Sequence, residues 1–239
     1  VLSMARYFET RNGPNVVQID DTFRNLVFVQ RFTAQVTPDS RQGVSGAGKF
    51  TFTVTGINPL VAFAGEHNAV LTSRTQSGNQ FTFTGLCLTQ FNFEVCVFDY
   101  PELTGTGKYL EIRNADGTLL FDGSQKYMRV AAMCNEVLTA TVQTVTRALP
   151  AGKQYVALQG INGGVGQVVG GPVAGGPSWR TNSISYRGIV NIVGNAYNAK
   201  LGMLYNVYNE GDNPPVYPNV SGWGRGLCLA PILDVTNFI

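Results

Sequence analysis

Residues 109–130 (YLEIRNADGTLLFDGSQKYMRV) decide how the chain is organised, because a related stretch occurs earlier at residues 7–28 (YFETRNGPNVVQIDDTFRNLVF). The two stretches align without a gap at an offset of 102 residues. The identical pairs are Tyr7/Tyr109, Glu9/Glu111, Arg11/Arg113, Asn12/Asn114 and Asp20/Asp122. A spacing close to the usual size of a domain predicts a tandem duplication.

Two further blocks repeat in the same order. Residues 47–58 (AGKFTFTVTGIN) and 151–162 (AGKQYVALQGIN) share six of twelve residues at an offset of 104. Residues 81–86 (FTFTGL) and 184–189 (ISYRGI) share one residue and a similar pattern at an offset of 103. We therefore predict a first β-domain copy over residues 1–105 and a second over residues 106–212.

Alternation of apolar and polar residues predicts β-structure throughout. Phe50, Phe52 and Val54 alternate with threonines, and a similar alternation follows Leu138 in the second copy. This period of two places one face of a strand on a core. No stretch sustains the helical period for three turns, so the expected fold is all-β, with two tandem, duplicated β-sandwich-like domains.

The Asn-Ala-Asp-Gly segment at residues 114–117 predicts a tight hairpin, because glycine tolerates a positive φ and the flanking residues alternate. The counterpart in the first copy is Asn-Gly-Pro-Asn at residues 12–15. Each hairpin leads to an aspartate, Asp20 or Asp122. We expect these carboxylates to accept hydrogen bonds from backbone N–H groups at the strand end.

Two segments depart from the repeat. Residues 160–179 contain eight glycines in twenty positions, which predicts a long loop or an extended arm. Residues 213–239 have no counterpart in the first copy and begin with a proline-rich run. They are expected to form an extended C-terminal tail whose apolar residues need a surface to cover them.

Composition bounds the class of protein. Only 13% of the residues are charged, against an average of about 25%, which favours a surface that is partly covered in an assembly. The net charge of +2 carries no basic run, so no nucleic-acid footprint is present. No apolar stretch approaches the roughly 20 residues of a membrane span, and residues 1–10 lack the pattern of a secretory signal.

Catalytic and cofactor motifs are not supported. Residues 43–50 (GVSGAGKF) resemble a phosphate-binding loop, but Phe50 stands where the magnesium-binding Ser or Thr is required, and a strand follows instead of a helix. His67 is the single histidine, and its loop position predicts a solvated side chain. The cysteines lie at positions 87, 96, 134 and 228 without metal-ligand spacing, so we expect buried free thiols. No catalytic residue, cofactor site or metal site is therefore predicted.

Large aromatic and apolar residues of the second half are the candidate partner-binding residues. Aromatic side chains beside glycine and proline suit contacts better than a core. The residues singled out for contacts with a partner are Trp179, Tyr217, Trp223, Leu229 and Phe238.

The two related stretches resemble the opening of small β-rich structural proteins of bacteriophage tails, which belong to the tail tip or tail fibre of long-tailed phages and prophages. The resemblance rests on Asn-Ala-Asp-Gly, on Leu-Leu-Phe-Asp-Gly-Ser and on the short strand ending Met128-Arg129-Val130, and it covers about 22 residues in each copy. It implies a non-enzymatic virion protein that is assembled in the host cytoplasm, contacts other tail proteins and forms a homo-oligomer, with a trimer as the expectation.

Two other functions stay open from the residues. A receptor- or carbohydrate-binding module at the distal tail would use Trp179, Tyr217 or Trp223 as a stacking platform for a host-surface receptor or glycan. A glycan-degrading enzyme needs only two suitably spaced carboxylates, and the fifteen acidic residues do not exclude such a pair.

Overall fold

The computed structural model describes residues 9–11, 17–20, 26–39, 47–101, 109–113, 116–138, 144–160, 164–172, 179–211 and 226–238. Side chains are described in these ranges except at residues 9–11, 17–20, 164–187, 202–211 and 226–227. The described residues form strands and turns with no helix, which confirms the all-β prediction. No helix in these ranges is therefore long and apolar enough to cross a membrane.

Among the described residues, nine strands lie in the first part of the chain: β1 (Glu9–Arg11), β2 (Val17–Asp20), β3 (Val27–Ala34), β4 (Thr37–Pro38), β5 (Gly48–Thr55), β6 (Leu60–Ala64), β7 (Ala69–Ser77), β8 (Gln80–Cys87) and β9 (Phe93–Asp99). Nine more follow: β10 (Glu111–Arg113), β11 (Leu119–Asp122), β12 (Val130–Leu138), β13 (Thr144–Ala148), β14 (Tyr155–Leu158), β15 (Gly164–Pro172), β16 (Trp179–Val193), β17 (Ala196–Gly211) and β18 (Gly226–Asp234).

These strands form five sheets. The largest has six strands in the order β12-β18-β14-β6-β9-β3. Two four-stranded sheets have the orders β4-β5-β8-β7 and β13-β17-β16-β15. The remaining strands form the hairpins β1-β2 and β10-β11, and every named pairing is antiparallel.

The six-stranded sheet packs against each four-stranded sheet, which makes the fold sandwich-like. In the first half, Phe63 and Phe93 of the large sheet meet Phe50 of β5, with ring centroids 5.8 and 5.0 Å from that of Phe50. In the second half, Ile232 and Tyr155 of the large sheet share a buried cluster with Ala199 of β17. The alternation of the sequence is thus satisfied by two separate cores.

A third core lies on the opposite face of the six-stranded sheet. Cys96, Phe98, Val156 and Leu233 are fully buried there, together with Phe238 from beyond the last strand. Short segments that precede β3 and β12 cover this face: the N–H of Phe28 donates to the carbonyl of Lys126, and the N–H of Met128 donates to that of Leu26, both at 2.8 Å. The sheet is therefore buried on both faces near its centre.

The two halves are joined within the six-stranded sheet. Strand β6, from the first half, pairs with β14, from the second, and Phe63 lies opposite Ala157. Their neighbours along the strands, Ala62 and Val156, point to one face of the sheet and belong to the third core. Phe63 and Ala157 point to the opposite face, where Phe63 belongs to the core of the first half and Ala157 to that of the second. The division into domains at residues 105/106 stays a prediction, and this sheet contains strands from both sides of it.

The two hairpins have the same geometry. Glu9 pairs with Asp20 and Arg11 with Val17, while Glu111 pairs with Asp122 and Arg113 with Leu119. Each register shifts at the same point, before the arginine. Gly117 has a φ of 85°, and the N–H of Ser124 donates to Oδ1 of Asp122 at 2.8 Å, which confirms the predicted turn and carboxylate cap in the second copy. The side chain of Asp20 lies outside the described residues.

Two segments differ from the sequence prediction. Within the glycine-rich segment 160–179, residues 164–172 form β15 and pair with β16 along their length instead of forming a long loop or an extended arm. Within the predicted tail 213–239, residues 226–234 form β18 between β12 and β14. Strand β15 can join a sheet despite its glycines because backbone hydrogen bonds do not require side chains. Strand β18 joins the large sheet because its apolar side chains are buried there.

The second repeated block occupies two different positions in the fold. Residues 47–58 contain β5, a strand of a four-stranded sheet, whereas residues 151–162 contain β14, a strand of the six-stranded sheet. Gly48 and Lys49 already belong to β5, whereas Ala151 and Gly152 form a turn before β14 begins at Tyr155. The sequence similarity of the two blocks therefore does not reflect equal places in the two halves.

Candidate protein interface

The predicted partner-binding residues do not come together in one site. Trp179 begins β16, opposite Pro172 and Gly211, and its side chain is not described. Tyr217 and Trp223 lie outside the described residues. Leu229 lies on β18 and is 47% exposed, whereas Phe238 is 7% exposed.

Phe238 packs inside its own chain. Its ring lies 5.7 Å from that of Phe28 and 6.4 Å from that of Phe98, measured between centroids. The guanidinium of Arg129 lies 4.9 Å from the centre of the same ring. The prediction of Phe238 as a contact for a partner is therefore corrected, because the large sheet already supplies the apolar surface that this ring needs.

Leu229 belongs to an exposed apolar strip that sequence analysis did not recognise as a whole. Met133 and Val137 of β12 are 53% and 50% exposed, and Leu229 lies beside them on β18. Leu229 pairs with Asn135, which separates Met133 from Val137 along β12, so all four side chains share one face of the sheet. We call Met133, Val137 and Leu229 the β12 strip.

The opposite face of β12 is anchored in a core. Cys134 and Leu138 are fully buried there. Glu136 is half-buried and receives hydrogen bonds from Nε of Arg147 at 2.9 Å and from the Tyr197 hydroxyl at 3.3 Å. These contacts fix the strand and neutralise its single carboxylate, and the hydrogen bond and charge of Glu136 raise the pKa of Arg147. The β12 strip consequently presents no unpaired charge to a partner.

The sequence of β12 alone reveals only part of the β12 strip. It reads Val130-Ala131-Ala132-Met133-Cys134-Asn135-Glu136-Val137-Leu138. The sequence shows apolar residues on both faces of β12, which is typical of a strand buried on both sides. Only the sheet order reveals that β12 is an edge strand and that β18 brings Leu229 next to it.

The four cysteines are buried and free, as predicted. Burial raises the pKa of Cys87 and Cys134 to about 12 and that of Cys96 and Cys228 to about 11. Thiols with such pKa values remain protonated near neutral pH and are poor nucleophiles. Among the described residues, no group of three or more His, Cys, Asp or Glu side chains is placed to hold a metal ion.

His67 is buried, which corrects the prediction of a solvated side chain. Its Nδ1 accepts a hydrogen bond from the N–H of Ala69 at 3.2 Å, and its carbonyl accepts one from the Asn191 amide at 2.7 Å. Its ring packs against Phe63 and Phe93. Burial, and secondarily the charge of Lys200, lowers the pKa of His67 to about 3, so the imidazole is neutral and holds a loop in place.

A cleft of about 300 Å³ opens where the two halves meet. It is lined by Arg31 of β3, Lys153 and Gln154 before β14, and Gly194 in the turn between β16 and β17. Both cations in it are already paired: Arg31 with Glu94, and Lys153 with Asp234 at 2.8 Å. The cleft therefore offers little free charge for the recognition of an ionic ligand.

Comparisons with protein-family models, with curated proteins and with solved structures find no match for this chain.

Proposed function

We propose that this protein is a non-enzymatic structural component of a bacteriophage tail, in the tail tip or a tail fibre, that acts through contacts with other proteins of the particle. Under this proposal the protein is assembled in the host cytoplasm and is located in the tail of the virion. The observation that carries the proposal is the β12 strip, an uncharged apolar surface on an edge strand that is otherwise held rigidly. Exposed apolar surface of this kind is typical of protein interaction sites.

The resemblance of the two hairpin stretches to phage tail proteins supplies the biological setting. The matching registers of β1-β2 and β10-β11 relate the two stretches to each other, since a shared bulge at one position is a feature that related units retain. We further propose that the chain is a tandem duplication of one sandwich-like unit. The strand order of the large sheet supports this. From one edge to the centre the strands are β12, β18 and β14, and from the other edge to the centre they are β3, β9 and β6 in the corresponding order.

The chemistry of the described side chains favours a structural role over catalysis. The histidine is neutral and enclosed, the thiols are protonated and enclosed, and the cations of the cleft are paired. The buried histidine and thiols stabilise the fold and are out of reach of a substrate. An exposed apolar strip on a strand that is anchored in a core suits a building block.

Particle assembly provides the test. The chain would be produced together with the remaining tail genes of its phage, and purified particles would be assayed for it by immunoblot. Wild-type chain should be present, Val137→Lys should be absent or strongly depleted, and Val29→Lys, an equally exposed position at 48% on the other edge strand, should be retained. Particles that are complete and infective without the chain would refute the proposal.

A further inference from the structure

Strand β12 has a free edge seven residues long, from Ala132 to Leu138. Within the described part of the chain, β12 pairs only with β18, and after a register shift between Val130 and Ala132 the pairing is regular to Leu138. Natural edge strands are normally blunted by charges, prolines or bulges that discourage pairing with another chain. Strand β12 contains one charged residue, Glu136, which is held on the core side by Arg147.

The other edge of the same sheet is blunted. Strand β3 has a register shift between Phe28 and Gln30, and Arg31 follows in an ion pair with Glu94. Val27 of β3 is also bridged to Tyr127 on the side away from β9. Strand β12 has a register shift as well, between Val130 and Ala132, and an ion-paired charge at Glu136. The two edges therefore differ in the bridge, which covers the Val27 end of β3, and in the regular run from Ala132 to Leu138 that β12 leaves open.

The open edge is complementary to itself. In an antiparallel pairing of β12 with β12 of another molecule, centred on Asn135, Met133 of one molecule lies opposite Val137 of the other on the exposed face. Asn135 then lies opposite Asn135, and Glu136 lies opposite Cys134 instead of a second glutamate. Apolar side chains therefore meet apolar side chains, amide meets amide, and no like charges are brought together.

We propose that β12 pairs with β12 of a second copy of this chain, in antiparallel register with Asn135 on the two-fold axis, so that the two large sheets join into one. This names the partner of the β12 strip and rests on the proposed role of that strip in assembly. An interface that is its own complement is what a two-fold homodimer requires. The chain already uses the same mode of joining internally, where β6 and β14 pair antiparallel at the centre of the sheet.

The mass in solution tests the pairing. Light scattering across a concentration series should give twice the chain mass of 25.8 kDa for the wild type. Val137→Lys should give the single-chain mass, or a dissociation constant raised at least about tenfold, because the ammonium would be placed against Met133 of the other copy. Val29→Lys is the matched control and should remain dimeric. A wild-type mass of one chain at every concentration, or of three, would overturn the two-fold pairing.

A cross-link tests the register. Residues directly opposite each other in an antiparallel pair have Cα atoms about 4.5–5.5 Å apart, which lies within the range of a disulfide. Asn135→Cys should therefore form a covalent dimer under mild oxidation, since the native cysteines are buried. Asn92→Cys should stay monomeric on a denaturing gel, because this exposed residue directly precedes β9, near the opposite edge of the sheet from β12. Equal cross-linking of the two variants would overturn the register.

The two proposals fail in different ways. If the wild type is monomeric and Val137→Lys is still lost from particles, the strip binds a different protein, so self-pairing is overturned and the role in the tail stands. If the wild type is a dimer through β12 but particles are complete and infective without it, the pairing stands and the role in the tail is overturned.

Discussion

Phe63 lies directly opposite Ala157 in the antiparallel pair of strands that joins the two halves of the six-stranded sheet. The two side chains point to the same face but enter different cores, Phe63 among the phenylalanines of the first half and Ala157 beside Ile232 in the second. This backbone pairing couples two cores that do not share side chains, and the third core, which contains Phe98 and Leu233, adds side-chain contacts between the same halves. The coupling has consequences for unfolding.

We expect the chain to unfold in a single cooperative transition. Phe63→Ala removes a fully buried ring and should lower the free energy of unfolding by about 3–5 kcal/mol. Because the sheet is continuous, Phe63→Ala should lower the denaturation midpoint seen by tryptophan fluorescence, which reports the second half alone. The midpoint seen by far-UV circular dichroism should fall by the same amount. Phe91→Ala, at a position that is 78% exposed, should change neither midpoint. A fluorescence midpoint that stays constant in Phe63→Ala would show that the halves unfold independently.

The end of the chain offers a comparison of two apolar residues close in sequence. Phe238→Ala should lower the free energy of unfolding by about 3–5 kcal/mol, since the ring is packed between Phe28, Phe98 and Arg129. Leu229→Ala, at an exposed site, should stay within about 0.5 kcal/mol of the wild type. Urea denaturation measures both. Comparable effects for the two variants would contradict the placement of Phe238 in a core.

His67 makes stability depend on pH. The pKa of this imidazole is about 3 in the folded chain, against 6.5 for an unperturbed histidine, so the unfolded chain takes up the proton first as the pH falls. Stability present above pH 6.5 is therefore lost progressively towards pH 3, at up to about 1.4 kcal/mol per pH unit. Urea denaturation between about pH 7 and pH 4.5 should show this slope.

His67→Asn is the control for that experiment. The shorter side chain can still accept the hydrogen bond from the N–H of Ala69 but cannot take up a proton in this range. The slope should be reduced by about one proton, whatever the overall stability of the variant. An imidazole that titrates near pH 6.5 in the native protein, as seen by NMR, would contradict the burial.

The thiols should be inert in the folded protein. Burial raises the pKa of Cys87 and Cys134 to about 12 and that of Cys96 and Cys228 to about 11. At about pH 8 a thiol reagent such as DTNB should report fewer than one reactive thiol per native chain and four after denaturation. Rapid reaction of the native chain would mean that one of these sites opens readily.

The β-class, the hairpin at residues 114–117 and the carboxylate cap of Asp122 could be predicted because each depends on neighbours in the chain. The alternation of Phe50 and Val54 with threonines already indicates which face is buried. The burial of His67 could not be predicted in the same way, because the residues that enclose it, such as Phe93 and Asn191, are distant in sequence.

The sequence by itself determined the local elements, their repetition and the absence of a helix from the described residues. Turns and the alternation of apolar and polar residues can be recognised from a few neighbouring positions. Their prediction therefore requires no knowledge of distant residues. The tertiary structure decided that residues 226–234 enter the large sheet, that Phe238 is enclosed, and that β12 is left at an edge with Met133, Val137 and Leu229 exposed. Those outcomes depend on strand order, because whether an apolar residue becomes core or contact surface is set by which strand lies beside it.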